Sequence, residues 1–172
     1  MGCFKKKVEL IEKFFSDCRN WNNGHFYSMD YSEITKALIK YRVNVLKHYG
    51  FGDYLLHAKN DEETIECIIH EAAKGWSSYF DPNSLIILRR ANIGSSAYKK
   101  ASNIKVPILK VLAKTDKVIN VNEGYETIKY LKSLNIDCSL IELETPFGHY
   151  GPMCDSWEWS GNLKKFLDNK IL

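Results

Sequence analysis

Two short segments rich in branched apolar residues constrain the fold of this 172-residue chain more than any other feature. They are Val106–Ala113 and Cys138–Glu144, and a segment with helical apolar spacing, 122–134, separates them. A near-continuous apolar run of this length predicts a strand that is buried on both faces, as in a parallel sheet. The three segments together predict a βαβ unit over residues 106–144 with a right-handed crossover, followed by a loop over 145–152.

No segment before residue 100 has the pattern of a strand. Apolar residues recur there at helical spacing, with a break at Gly50 and Gly52, in four stretches: 7–15, 31–47, 62–76 and the segment that Asp81 and Pro82 open. Two parallel strands alone leave open edges and apolar faces, so a sheet of this kind needs neighbouring strands. We therefore expect that the chain is a fragment or one half of a split protein.

The composition fits a globular chain and excludes several partners. Hydrophobic residues make up 45% and charged residues 26%, and the net charge is +3. The basic residues form only small scattered clusters, so we expect no nucleic acid partner. No apolar run approaches the ~18 residues of a membrane span, so we expect no membrane partner. Five cysteines without a CxxC pair indicate free thiols and, because no signal peptide is visible, a cytoplasmic protein.

Asp116 and His149 are the strongest candidates for chemistry. Asp116 follows the first predicted strand, and His149 follows the second, at the end of Pro146–His149. Functional groups of parallel sheets gather in the loops after the carboxyl ends of the strands, so the two side chains can meet at one edge. In such a pair His149 would take a proton from a nucleophilic hydroxyl, and Asp116 would hold the imidazole tautomer. The alternative is structural: Asp116 begins a turn and His149 is an ordinary loop residue.

Two other groups carry weaker signals. Cys67 and His70 share one face of a predicted helix and could be metal ligands, but no second pair has such spacing, so packing explains them better and we expect no metal. Ser95 and Ser96 lack the second glycine and the preceding strand of a GxSxG nucleophile elbow, and they are predicted to lie at a helix end or in a loop.

Four segments occur in the order Trp21–Tyr27, Tyr79–Ile86, Val106–Asp116 and Gly148–His149. They resemble, in the same order, four segments of the homoserine O-acetyltransferase family of the α/β-hydrolase superfamily. These are the tryptophan-glycine-tyrosine segment after the nucleophile region, the end of the helical lid, the strand that leads to the catalytic Asp, and the catalytic His loop.

The resemblance implies an α/β protein with a partial α/β-hydrolase fold, in which a helical lid precedes the last parallel βαβ-α portion of the core. Residues 1–27 would be a remnant of a core helix and loop, 28–103 the lid, and 104–172 the C-terminal part of the core. The catalytic roles carry over to Asp116 and His149.

The resemblance also implies an acyltransferase of methionine biosynthesis. Family members use a nucleophilic Ser to take acetyl from acetyl-CoA, the acyl donor, and pass it to the hydroxyl of homoserine by a ping-pong route. No bound cofactor is expected. The chain departs from the family in two places. It has no GxSxG-type elbow, and Tyr150 stands directly after His149, where the family commonly has an Asp that helps hold the acceptor. Tyr150 is therefore the candidate substrate-binding residue.

Three hypotheses follow. The leading one is an acyltransferase without its nucleophile half, which is inactive alone and takes a small-molecule substrate only when that half completes it. The second is an ester or thioester hydrolase of the same fold, which Tyr150 favours. The third is a non-catalytic half that binds a partner, either a nucleophile-bearing subunit or a second copy of itself, through its exposed strand edge.

Overall fold

The computed structural model describes residues 2–95 and 97–170, without the side chains of residues 2–8, 93, 94 and 170. The helices and strands of this part are, in chain order, α1 (Gly2–Ser16), α2 (Ser32–His48), α3 (Phe51–His57), α4 (Glu62–Ser77), α5 (Pro82–Gly94), β1 (Ile108–Ala113), α6 (Val121–Ser133), β2 (Cys138–Leu143), α7 (Gly151–Cys154) and α8 (Ser156–Lys170). Short 3-10 helices occupy Asn22–Gly24, Ala97–Asn103 and Gly148–Tyr150.

Aspartate caps fix the start of α4, which is predicted to begin at residue 62, and the start of α5, which Asp81 and Pro82 are predicted to open. Oδ1 of Asp61 accepts a hydrogen bond from the backbone N–H of Thr64 at 2.7 Å, and Oδ2 of Asp81 accepts one from Ser84 at 2.7 Å. Each bond satisfies an N–H that the first helical turn leaves without a partner. Pro82 occupies the first turn of α5, where its missing N–H costs nothing. The backbone hydrogen bond from Thr64 also holds the pKa of the Asp61 carboxyl below its ordinary value.

Two short helices depart from the sequence prediction. Gly50 does interrupt the helical run, with a φ of +91°, but Gly52 lies inside α3 rather than in a break. The predicted loop over 145–152 is likewise shorter, because a 3-10 helix occupies Gly148–Tyr150 and α7 begins at Gly151. Both helices have fewer than eight residues, so neither is long enough to show an apolar period in the sequence.

The chain forms two compact units, each with its own set of contacts. Unit 1 contains Met1–Val45 and Glu66–Ala97, and unit 2 contains Leu46–Ile65 and Tyr98–Leu172. The predicted division at residues 27 and 103 concerns the domain organisation of a whole family member, and it stays a prediction.

Unit 1 is built on an aromatic stack. The ring of Trp21 lies between Phe15, at a centroid distance of 5.6 Å, and Phe26, at 5.3 Å. The buried core around the stack consists of Ile11, Phe15, Trp21, Phe26, Ile34, Leu38 and Ile86. Two polar contacts join the chain around Trp21 to the start of α5: Nδ2 of Asn83 donates to the carbonyl of Gly24 at 2.8 Å, and the Tyr27 hydroxyl donates to Asp81 at 2.9 Å.

Unit 2 contains the sheet. β1 and β2 pair in parallel, in a register that runs from Ile108 opposite Cys138 to Ala113 opposite Leu143, and α6 connects them. A Cβ atom at Gly124 would overlap the side chain of Leu112, so this glycine lets α6 approach β1 closely. A second core forms where α6 meets the start of β2, from Ala101, Ile128, Leu131, Ile136 and Cys138.

The burial of β1 differs from its prediction. Only Leu112 and Ala113 are buried, and the four preceding residues are partly exposed. The expectation of a strand buried on both faces is therefore wrong for this structure, because the part of the chain that it describes supplies no third strand.

In the same part of the chain, none of the helices has the length and hydropathy needed to cross a bilayer.

We predict that Phe15→Ala lowers the free energy of unfolding by about 3–5 kcal/mol, because Phe15 is fully buried and its removal leaves a cavity in the aromatic stack. Leu10→Ala is the matched control on α1, since Leu10 is 59% exposed, and it should cost less than about 0.5 kcal/mol. Urea unfolding followed by tryptophan fluorescence measures both values. Equal losses would contradict the packing of α1 described above.

Candidate functional site

The structure brings Asp116 and His149 together in unit 2. Nδ1 of His149 lies 2.9 Å from Oδ2 of Asp116, which is hydrogen-bonding distance for a charge-assisted pair. The Asp116 side chain is 2% exposed and the His149 side chain is 33% exposed. A buried carboxylate that faces Nδ1 favours the tautomer with its proton on that nitrogen, because an ionised carboxylate only accepts hydrogen bonds.

The turn after β1 fixes the Asp116 carboxylate. Its Oδ1 accepts hydrogen bonds from the backbone N–H groups of Val118, at 2.7 Å, and Ile119, at 3.0 Å. Its own N–H donates to the carbonyl of Ala113 at 3.1 Å. One carboxylate oxygen is thus held by the backbone while the other faces His149. The structural alternative from the sequence is therefore partly right, since Asp116 does shape a turn, but the same side chain also reaches the histidine.

Thr115 connects the two loops that carry the pair. Its hydroxyl donates to the carbonyl of Thr145 at 2.6 Å and accepts from the N–H of Gly148 at 3.1 Å. Thr145 and Gly148 are both buried. Thr115 is not among the candidate residues that the sequence indicates. The available signal was a hydroxyl residue directly beside a candidate catalytic Asp, at the end of a strand.

The segment between α2 and α3 supports the histidine loop from another side. The N–H of Tyr150 donates to the carbonyl of Tyr49 at 3.1 Å, and the Tyr49 ring meets the His149 ring edge-on at a centroid distance of 4.8 Å. A Cβ atom at Gly50 would overlap the carbonyl group of Phe147. Sequence reasoning missed this support because residues 49 and 50 are about 100 positions away from His149 and fit no motif.

Tyr150 lies against an aromatic neighbour. Its ring stacks on that of Phe51 at a centroid distance of 5.0 Å and an interplanar angle of 23°. The Phe147 ring of the same loop meets Tyr54 edge-on at 5.6 Å. The aromatic rings of α3 therefore pack against the loop in the offset-stacked and edge-to-face arrangements that aromatic pairs prefer. A role of Tyr150 in substrate binding stays a prediction.

The weaker candidates from the sequence lie apart from any constellation. Cys67 is exposed, and Nδ1 of His70 lies 3.7 Å from its neighbour Glu71. In the described part of the chain, no group of three or more potential metal ligands comes together. Ser95 ends α5, and its hydroxyl donates to the carbonyl of Asn92 at 3.0 Å, so it does not follow a strand as a nucleophile elbow requires. Ser96 lies outside the described residues.

Two half-buried thiols show no activation. Burial raises the pKa of the Cys154 thiol, and the carboxylate of Asp155 raises it further. Burial is also the main cause of the raised pKa of Cys18, followed by the negative charges of Glu33 and Asp17. A lowered pKa is typical of reactive cysteines, so the surroundings of these two thiols do not favour the thiolate.

An open groove of about 500 Å³ in unit 1 is lined by four charged side chains together with polar and apolar ones, and its lining residues include no histidine. Two of its lining residues, Glu12 and Arg90, pair with each other at 2.6 Å. Their charges therefore balance within the groove. Convergent groups that could transfer a proton are found instead in unit 2.

Known proteins similar to this chain include an acetyltransferase and an esterase. No family model matches the chain. Homoserine O-acetyltransferase of Methanohalophilus mahii is 24% identical over 159 residues, a match that covers 86% of this chain and 32% of that protein, in its C-terminal part. The crystal structures of esterase E22 and of a point mutant of it each match with a TM-score of 0.70, at 21% and 20% identity, over 93% of this chain and 49% of theirs.

The chain therefore spans about a third of the length of the curated relative and about half the length of the esterase. The structural match shows that the chain has part of the α/β-hydrolase fold of that esterase. The resemblance to the C-terminal part of homoserine O-acetyltransferase, which four sequence segments predict, is confirmed by the sequence match.

We predict that Gly50→Ala lowers the free energy of unfolding by at least about 2 kcal/mol, because a side chain at a φ of +91° is strained and would also overlap the carbonyl of Phe147. Gly161→Ala is the matched control. Gly161 lies in α8, and a Cβ atom there would have no neighbour within 4 Å among the described residues. This control should gain up to about 1 kcal/mol from helix propensity. Denaturant unfolding compares the two, and effects of the same sign would contradict the support of the histidine loop.

Proposed function

We propose that this chain is the lid and Asp–His portion of a serine-dependent acyltransferase that resembles homoserine O-acetyltransferase. The observation that carries the proposal is the 2.9 Å contact between Nδ1 of His149 and Oδ2 of Asp116, on loops that follow two parallel strands. This chain order, Asp before His, is the order of α/β hydrolases after their nucleophile. In this proposal residues 28–103 form the helical lid, and 104–172 form the last βαβ-α portion of the core.

The geometry supports a defined role for each group in the first half-reaction. Asp116 accepts the hydrogen bond from Nδ1–H, so Nε2 of His149 is the nitrogen that takes the proton from a serine hydroxyl. The serine oxygen then bonds to the acetyl carbon of acetyl-CoA, and the thiolate of CoA leaves with the proton that His149 returns. The buried Asp116 carboxylate stabilises the imidazolium that forms between these two steps.

The second half-reaction uses the same pair in reverse. Nε2 of His149 takes the proton from the hydroxyl of the acceptor, whose oxygen attacks the acetyl-serine. The proton then returns to the serine oxygen as the ester bond to the enzyme breaks. No metal takes part in this scheme, and acetyl-CoA enters as a substrate rather than as a resident cofactor.

The nucleophile and the oxyanion hole come, in this proposal, from a polypeptide segment outside the 172 residues. No GxSxG-type elbow occurs in the sequence, and the matched esterase is about twice as long as the aligned region. The proposed partner is therefore the nucleophile-bearing part of the fold. Self-association of the chain through its strand edge stays a prediction.

A second candidate is an ester or thioester hydrolase of the same fold, in which water replaces the acceptor. The observation that favours it is Tyr150, which stacks on Phe51 at the position where a carboxylate would hold an amino acid acceptor. A phenol cannot form the ion pair with an α-ammonium group that a carboxylate forms. The crystal structures that match the chain are those of an esterase.

Complementation tests the proposal. The pure chain is mixed or co-expressed with the part of the Methanohalophilus mahii homoserine O-acetyltransferase that precedes the matched region. We expect no acetyl-CoA turnover from the chain alone, because it has no nucleophile, and measurable release of CoA from the complex. Analysis of the products separates the two candidates: an acetylated amino acid supports the transferase, and free acetate supports the hydrolase.

Substitutions in the complex test the two named residues. His149→Ala and Asp116→Asn should each lower kcat about 1,000-fold or more, because each removes one member of the proton-transfer pair. His70→Ala and Asp168→Asn are matched controls on exposed helical positions, and each should change kcat by less than about twofold. Turnover by the pure chain that His149→Ala abolishes would overturn the requirement for a second part.

A further inference from the structure

The hydroxyl of Thr115 makes two hydrogen bonds to one loop. It donates to the carbonyl of Thr145 at 2.6 Å, directly after β2, and it accepts from the N–H of Gly148 at 3.1 Å, directly before His149. The two backbone groups lie at opposite ends of the tetrapeptide 145–148. A single oxygen atom therefore closes the loop that leads from the strand to the histidine.

The partner groups make this oxygen hard to replace. Thr145 is 3% exposed and Gly148 is buried, so their polar groups have little access to water. A buried backbone group without a hydrogen-bond partner is costly, and a loop that loses such a partner shifts until it finds another one. Gly148 adopts a φ of +55°, and a Cβ atom there would lie 3.3 Å from the carbonyl oxygen of Tyr49, so the backbone at Gly148 packs closely against the backbone of Tyr49.

Thr115 also precedes Asp116 in the chain. Thr115 therefore holds the histidine loop, and its neighbour Asp116 contacts the histidine ring. Both contacts start from adjacent residues at the end of β1, so the loop and the carboxylate are attached at the same point of the strand. Loss of the Thr115 bonds would alter the distance and angle between Nδ1 of His149 and Oδ2 of Asp116.

We infer that Thr115 is a positioning residue, whose hydroxyl sets the histidine loop at the distance where His149 meets Asp116. The assignment of a catalytic consequence rests on the proposed function, whereas the structural role does not. Thr115 as a whole is exposed, although its hydroxyl is engaged on both sides. Its contribution is therefore the geometry of the loop rather than burial in a core, and substitutions there should leave the chain folded.

Hydrogen exchange of the pure chain tests the structural role. Thr115→Val keeps the shape of the side chain and removes both hydrogen bonds, and we expect exchange at the Gly148 amide to accelerate about tenfold or more. Thr115→Ser keeps the hydroxyl and should restore protection. Thr127→Val is the matched control, because the Thr127 hydroxyl donates to the backbone carbonyl of Glu123 at 2.7 Å within α6. Loss of this hydrogen bond should leave the exchange rate of the Gly148 amide unchanged.

Kinetics of the complemented enzyme test the consequence for catalysis. Thr115→Val should lower kcat about tenfold with KM changed less than about twofold, since the substrate still binds and only the proton-transfer geometry is disturbed. Thr115→Ser should recover kcat. An unchanged exchange rate of the Gly148 amide in Thr115→Val, or an exchange rate in Thr115→Ser as fast as that in Thr115→Val, would overturn the inference. A complex without activity in any form would count against the proposed function alone, because the exchange result still decides the role of Thr115.

Discussion

The parallel pairing of β1 and β2 is the constraint on which the candidate site depends. The register ends at Ala113 opposite Leu143, and Asp116 follows three residues later on one strand while His149 follows six residues later on the other. A slip of one residue would move one loop by about 3.3 Å along the strand direction and turn every side chain to the other face. A hydrogen bond of 2.9 Å between the two side chains would not survive such a shift.

Much of this arrangement is predictable from the sequence, because it depends on local signals. The two branched apolar runs predict β1 and β2, Asp81 and Pro82 predict the start of α5, and the position after each strand predicts Asp116 and His149 as partners. The support around the pair was not predictable. Tyr49 and Gly50 reach the histidine loop through a left-handed turn and contacts about 100 residues apart in the chain, and no local period records such contacts. The partial exposure of β1 was also not predictable. The apolar pattern of a strand indicates how deeply it would be buried in a complete sheet, but it does not indicate how many neighbouring strands the chain supplies.

The chain combines a well-formed pair with an incomplete sheet. The Asp116 carboxylate has fixed partners on both oxygens, and the loop of His149 is held by Thr115 and by the backbone of Tyr49. Holding a loop and its side chains in fixed positions costs conformational free energy, and such fixed positions are typical of preorganised sites. β1, by contrast, pairs with one strand only in the described part of the chain. The proposed division of function follows: this chain orients the base, and the remaining part of the fold supplies the nucleophile.

The position of the proton on the His149 imidazole in the pure chain shows directly whether Asp116 orients this ring. Nitrogen-15 NMR, recorded at a pH where the ring is neutral, distinguishes a proton on Nδ1 from one on Nε2. We predict the proton on Nδ1, hydrogen-bonded to Asp116, and a change of tautomer in Asp116→Asn. A proton on Nε2 in the unmodified chain, or a spectrum that Asp116→Asn leaves unchanged, would contradict the claim that Asp116 orients His149 as a base.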